Sequence, residues 1–526
     1  MGVGTGVRDA PKTGFLHHGR RLMVAHREFG LALPRPATMG AMNFLARPLI
    51  GFIALFSGTV AFDADAKLPH PGARHDVAVE PQARLIHWLR AHAVPGIEIS
   101  AHEGEVAVTY ETRNGDTLAS IARALLPLSE TYVWTDFAEE LVRANPTLKS
   151  GVKEGAKITV PNLVRAPRAE GPEGRLASPG GAAAAEVKGV YVRGTTAGGR
   201  GYVRLLDKLA EHGMNAIVLD TKDTDGVITY PSKVPLAIEA GAVKDPPIAD
   251  LPRAIRFAHD RGIRVVMRVS CFHDEWMQHN KGKEMSIRGK WGGIYPLGWL
   301  DPANEMAHEY LIDLAKEAID AGADEIELDY VRYPVIGIKN ADFHLDKIGK
   351  TKTEVIRDFV HEVHAVTRAR QVPLSLDIFG VVAQGKRVDI DGLGQDIALL
   401  GPECEVLSPM VYPSHYAAGF LGFEIPGNHP ELVGIGTKGT IRQLEGAASA
   451  TGTLVRPWVQ AVSYESPDYG PDYLRAELKS AEDNGSSGWL MWNPSQDYGT
   501  AWAASPKVPS PKAPSGELAK NDRPAR

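Results

Sequence analysis

The sequence predicts an α/β protein: a (β/α)8 TIM barrel with a small α+β unit ahead of it. Two observations carry this. Eight short β-branched strands alternate with amphipathic helices between residues 187 and 494, and two stretches poor in apolar residues, Arg165–Glu186 and Ala503–Arg526, set that region apart. A chain of 526 residues, 44% hydrophobic, is long enough for one large core and a smaller one.

The strands read from the sequence are Val187–Arg193, Asn215–Asp220, Arg264–Ser270, Glu325–Tyr333, Pro373–Phe379, Glu405–Tyr412, Arg456–Val462 and Gly488–Trp492. Between them run helical patterns such as Tyr202–His212 closed by Gly213, Asp250–Arg261 capped by Asp250, and Asn304–Ala321 closed by Gly322. Right-handed strand-helix-strand crossovers make a parallel sheet, and eight units in this length fit a closed barrel. After the last strand little helical pattern remains, so the eighth helix is expected to be absent or replaced. The barrel is assigned to residues 187–502, the linker to 164–186 and a disordered tail to 503–526.

The formal net charge of −6, from 58 basic and 64 acidic residues, leaves no basic excess to neutralise phosphates. Nucleic acid is therefore not an expected partner. Cys271 and Cys404 are the two cysteines, too few for a disulfide scaffold or a cysteine metal cluster, and buried thiols are the simpler expectation. No cofactor is expected, and no spaced ligand set indicates a metal.

Residues 1–66 are read as a leader. The apolar run Pro48–Phe62 follows Arg47 and precedes Asp63-Ala64-Asp65-Ala66, which has the layout of an export signal with a small-residue cleavage site. The run is shorter than a bilayer span. Translation is expected to start at Met39 or Met42, and the product to be periplasmic or extracellular, with cell-wall association. Residues 67–107 carry no assignment.

In residues 108–163, an alternating strand breaks at Asn114-Gly115-Asp116-Thr117-Leu118, where Asp116 or Thr117 can cap a helix over Leu118–Leu126. Asn145-Pro146 and a closing Lys157-Ile158-Thr159-Val160-Pro161 follow. This order of pieces resembles a LysM domain, although the middle around Leu128–Phe137 is longer than that family's. The resemblance implies binding of N-acetylglucosamine-containing glycans such as peptidoglycan or chitin. A degenerate unit that only packs or spaces is the alternative.

Barrel active sites lie at the C-terminal ends of the strands. There the sequence places Asp220 and Asp223, Arg268, Asp329 and Arg332, Asp377, Tyr412 and His415, Trp458 and Gln460, and Trp492. Hydrolysis of a glycosidic bond needs two carboxyl groups and aromatic faces for sugar rings, and this set supplies both. Alternation puts Glu325, Glu327 and Asp329 on one face of the fourth strand, where mutual repulsion should raise at least one pKa. Glu327 is a catalytic candidate; its alternative is neutralisation inside the barrel by an arginine such as Arg268, with Glu325 at the solvated bottom.

The stretches Trp299-Leu300-Asp301-Pro302, Lys316-Glu317-Ala318 and Leu328-Asp329-Tyr330-Val331-Arg332-Tyr333-Pro334 look like a bacterial family of barrels assigned to glycoside hydrolases. Ser408–Tyr416, Arg456–Gln460 and Gly488–Asn493 resemble it too, so the likeness spans the large unit. It implies Asp329 as nucleophile or principal carboxylate and Asp377 as its partner acid or base. Arg332 would orient Asp329 or bind a sugar hydroxyl. Tyr412, His415, Trp458 and Trp492 would line subsites, with Gln460, Asp220, Asp223 and Arg268 as further substrate contacts. The expected partner is an extracellular or envelope polysaccharide, peptidoglycan or another N-acetylglucosamine-containing glycan. Glu325-x-Glu327-x-Asp329 is also similar to chitinase-like barrels, in which the substrate's N-acetyl group attacks; there the last acid is Glu rather than Asp. A barrel without turnover that only holds wall glycan is the remaining alternative.

Overall fold

The computed structural model describes residues 81–102, 104–176, 186–447 and 452–508. The export-signal reading at Pro48–Ala66 lies outside them. Among the described residues no helix is long and apolar enough to cross a membrane.

Eight parallel strands close a barrel: β4 (Val187–Val192), β5 (Ala216–Lys222), β6 (Arg264–Ser270), β7 (Glu325–Asp329), β8 (Leu374–Phe379), β9 (Val406–Met410), β10 (Trp458–Gln460) and β11 (Gly488–Trp492). Closure is completed by β11 pairing with β4 through Gly488–Met491 and Val187–Val190. Consecutive strands are joined through helices α4 (Tyr202–Glu211), α5 (Leu251–His259), α7 (Glu305–Asp320), α8 (Lys352–Ala369), α9 (Arg387–Leu393), α10 (Glu431–Glu445) and α11 (Pro471–Asp483). A further helix, α6 (Glu275–Met285), belongs to a long excursion after β6. The expected gap after the last strand is filled by a short helix, α12 (Gly499–Ala504), so Ala503 and Ala504 are helical rather than part of a tail. The carbonyl of Ser505, which follows it, meets His212 Nδ1 at 2.6 Å and fastens α12 to the end of α4.

The strands face two ways, and so there are two cores. One is the large shell between strands and helices. The other fills the barrel itself, with Val187, Tyr191, Ala216, Val218, Val266, Trp458 and Leu490. Cys271 and Cys404 are buried free thiols.

The N-terminal unit contains helix α1 (Pro81–Ala91), a three-stranded antiparallel sheet of β1 (Ile97–His102), β2 (Glu105–Glu111) and β3 (Lys157–Thr159), and helices α2 (Leu118–Leu125) and α3 (Trp134–Ala144). Thr117 caps α2 reciprocally with Ser120. Asp116 instead braces the preceding turn, accepting from Arg113 N at 2.7 Å and from Tyr110 at 2.9 Å. Asn145 clamps β3, donating to the Thr159 carbonyl and accepting from Thr159 N, each at 2.8 Å.

The long middle segment seen in the sequence is the part that docks on the barrel. Arg253 on α5, 4% exposed, donates to the carbonyls of Ser129 and Thr131. Tyr132 lies between Tyr202 and Phe257, and its hydroxyl donates to the Ala197 carbonyl at 2.5 Å. The linker also differs from its reading as unpacked chain. Arg168 bridges Glu130 and Asp260 at 3.1 Å each, Glu170 pairs with Arg256, and Arg175 donates to carbonyls at the ends of α7 and α8. Polar contacts fasten a segment that lacks the apolar residues to do so.

Candidate active site

The inward faces of the strands form polar layers. Lowest is Glu325, paired with Arg456; both are buried, so Glu325 is not at a solvated bottom. One step up is Glu327, which has no exposed surface. Arg268 does not neutralise it: the guanidinium is taken by Asp329, at 2.7 and 3.1 Å, and by Asp220, at 2.6 Å, with Asp223 at 3.5 Å. Both Glu327 oxygens are instead buried with no hydrogen-bond partner among the described residues, and the carboxyl of Asp377 acts on it electrostatically. Two neighbouring buried carboxyl groups resist ionising together, so one of them tends to keep a proton.

The electrostatics separate the two aspartates. Burial first, then the carboxylates of Glu327 and Asp329, push Asp377 well above the ordinary range. Burial also pushes Glu327 up to about 7, against the pull of Arg456. Asp377 Oδ1 accepts a 2.7 Å hydrogen bond from Trp458 Nε1. Asp329 has the surroundings of an anion: Oδ2 takes two N–H groups from Arg268 and Oδ1 takes Tyr330 N at 2.6 Å. Burial works against the Arg268 charge, but Asp329, Asp220 and Asp223 hold its pKa well above the usual value. The register brings the aspartates together: Leu376 pairs with Leu328, so Asp377 follows beside Asp329 on the adjoining strand.

Tyr330 has φ +51°, a left-handed conformation that non-glycine residues adopt at a cost on the order of 1 kcal/mol. That turn aims its N–H back at the preceding carboxylate. Trp299 faces Tyr330 edge-on and stacks on His273, whose pKa burial drives down to about 3, so it is neutral. Arg332 is packed against Trp299, Tyr330 and Phe379 and donates to the Tyr333 carbonyl at 3.1 Å. It makes no hydrogen bond to Asp329, contrary to the orienting role read from the sequence.

At the mouth, Tyr412, His415 and Trp492 form one aromatic group, with ring centroids 5.2 to 6.1 Å apart, and Tyr464 joins it through His415. Beside it the loops after β9 and β10 enclose a groove of about 330 Å³, lined by Ser414, Tyr416, Glu424, Ile425 and Glu465 among others. Three expected substrate contacts have their polar groups taken up by the protein itself. Trp458 is 3% exposed, and its N–H is spent on Asp377. Gln460 is fully buried, accepting from Ser414 Oγ and donating to Val462, Tyr464 and Ser466, so it ties two loops together. Asp220, 2% exposed, is held by Arg268 and by the Tyr191 hydroxyl at 2.5 Å; burial pushes it up to about 7. Asp223 alone of these acids keeps an exposed side chain. Tyr191 and His273 were not picked out from the sequence, and Trp299 only as part of the stretch that resembles the family, although Tyr191 has the inward parity of the first strand.

The family described as "Putative glycosyl hydrolase domain" matches residues 189–498, more than half of the chain and the whole of the barrel mouth. The chain belongs to that family. No curated protein matches it. Among solved structures, a hypothetical protein from Ruminiclostridium thermocellum is 33% identical over 36% of this chain and 96% of its own, with a TM-score of 0.33. The spore cortex-lytic enzyme of Bacillus megaterium is 10% identical over 77% of this chain and 90% of its own, at 0.37. A Flavobacterium johnsoniae chitobiase is 14% identical over 62% and 48%, at 0.40.

Proposed function

We propose that the barrel hydrolyses a glycosidic bond, with Asp329 as the attacking carboxylate and Asp377 as the acid. The observation that carries this is the contrast between the neighbours. Asp329 is ion-paired with Arg268, while Asp377 is driven to hold a proton by burial and by Glu327 and Asp329. Asp329 would bond to the anomeric carbon as the bond to the leaving oxygen breaks, and Asp377 would pass its proton to that oxygen. Water then hydrolyses the glycosyl ester as Asp377 takes the proton back. Trp492, Tyr412 and His415 offer ring faces for the sugar, and Asp223, with its exposed side chain, a polar contact at the rim.

Neighbouring strands stand about 4.8 Å apart, which suits the roughly 5 Å carboxyl spacing of retaining enzymes. Net retention at the anomeric carbon, read by NMR early in the reaction, is the expected result; inversion would contradict the assignment of Asp329 as nucleophile. A second reading is favoured by one fact: both Asp329 oxygens already accept hydrogen bonds. In it Asp329 steadies the substrate's own N-acetyl group as that group attacks. Rescue of Asp329→Asn by azide, giving a glycosyl azide, supports the first reading, and turnover confined to 2-acetamido sugars the second.

For substrate we propose an envelope polysaccharide containing N-acetylglucosamine, met after export. Support comes from the LysM-like order of pieces in the N-terminal unit and from its firm seat on α4 and α5.

A further inference from the structure

The excursion after β6 carries an aromatic surface that the catalytic mouth does not use. Trp291 is 60% exposed, although an indole of that size is normally covered. Its pose is fixed from below. A Cβ added at Gly289 would stand 2.5 Å from the six-membered ring of the indole, and one at Gly293 2.5 Å from Nε1. The ring therefore lies flat across both glycines, on a turn closed by Gly289 N to Gly293 O and Gly292 N to Gly289 O, each 2.8 Å. The buried Tyr295 supports it, with centroids 5.7 Å apart. One face is packed on backbone, and the other is open to solvent.

The turn is anchored to the site already described. Ile287 N donates to the Trp299 carbonyl and Tyr295 N to the Ile287 carbonyl, while Gln278 binds the carbonyls of Tyr295 and Trp299. Trp299 in turn packs on Tyr330 and Arg332. Lys290, adjacent to the indole in the chain, is exposed, and its Nζ donates to the Lys339 carbonyl at 3.2 Å, which sets a cation beside the turn.

We infer that Trp291 is a glycan-stacking platform distal to the cleavage point, taking a neutral or carboxylate-bearing pyranose rather than one with a free amine. The inference rests on the glycosidase reading for the identity of the ligand as a sugar chain. A flat indole offers C–H/π contact to the apolar face of a pyranose, and two glycines hold it at little entropic cost on binding.

The test measures binding by calorimetry in the full-length Asp329→Asn chain, with dimers and hexamers of N-acetylglucosamine, of β-1,4-glucose and of glucosamine. Trp291→Ala is expected to weaken hexamer binding roughly three- to tenfold and to leave dimer binding and the melting temperature unchanged. Gly293→Ala, which tilts the indole without removing it, should reproduce the loss. The glucosamine hexamer should bind more weakly than its acetylated counterpart. Equal hexamer affinity in Trp291→Ala and its parent, equal losses on dimer and hexamer, or no hexamer bound at all would overturn the inference. Turnover is scored separately in the wild-type chain, so absence of hydrolysis with an intact Trp291 effect would sink the glycosidase reading and spare the platform.

Discussion

Glu327 is the residue through which the acid is tuned. Its carboxyl raises Asp377, so replacing it by glutamine removes a negative neighbour and lowers the Asp377 pKa. The alkaline limb of the activity profile should move to lower pH in Glu327→Gln, and a limb that stays in place would exclude the coupling. Trp458→Phe acts in the opposite sense. It removes an N–H that favours the ionised form of Asp377, so the same limb should rise. The strand ends had pointed to Asp329, Asp377 and the aromatic trio of the mouth. What they could not convey is partnership. Trp458, Gln460, Asp220 and Arg268 share the inward parity of the mouth residues, but their polar groups are bound by the protein, and parity alone cannot separate a sugar contact from a brace.

At the scale of elements, the strands were legible as short apolar runs alternating with helical patterns, some of them opened by a cap of their own, such as Asp250 for α5 and Asn304 for α7. The fastening of the N-terminal unit was not legible. It depends on Arg253, Tyr132 and Arg168, and a composition-based reading counts arginine as solvated. Arg253→Ala removes two buried charge-assisted hydrogen bonds to carbonyls, worth about 3 to 6 kcal/mol together. Trypsin should then cut at Arg165, Arg168 or Arg175 much faster than in the wild type, with the barrel left folded. Unchanged cleavage would mean the unit is held by other contacts.

For the molecule as a whole, the polar barrel interior links stability to pH. Glu327 rises from an ordinary 4.5 to about 7 in the fold, and Asp377 rises further. The native chain keeps protons that the unfolded chain gives up, so this contribution is full below about pH 4.5 and is lost as pH rises through about 7. The melting temperature should fall from pH 5 to pH 8, and Glu327→Gln should flatten that fall, with a gain at pH 8 on the order of 3 kcal/mol at most. A parallel fall in both proteins would show that the pair is not the source. The central claim, cleavage by Asp329 with Asp377, is tested most directly by reducing-end release from sonicated peptidoglycan, chitin and α-glucans. Wild type should release ends from at least one of them, and Asp329→Asn and Asp377→Asn should each lose roughly 10³-fold or more. Undiminished release by Asp329→Asn, or binding of these glycans by the wild type with no release from any, would contradict it.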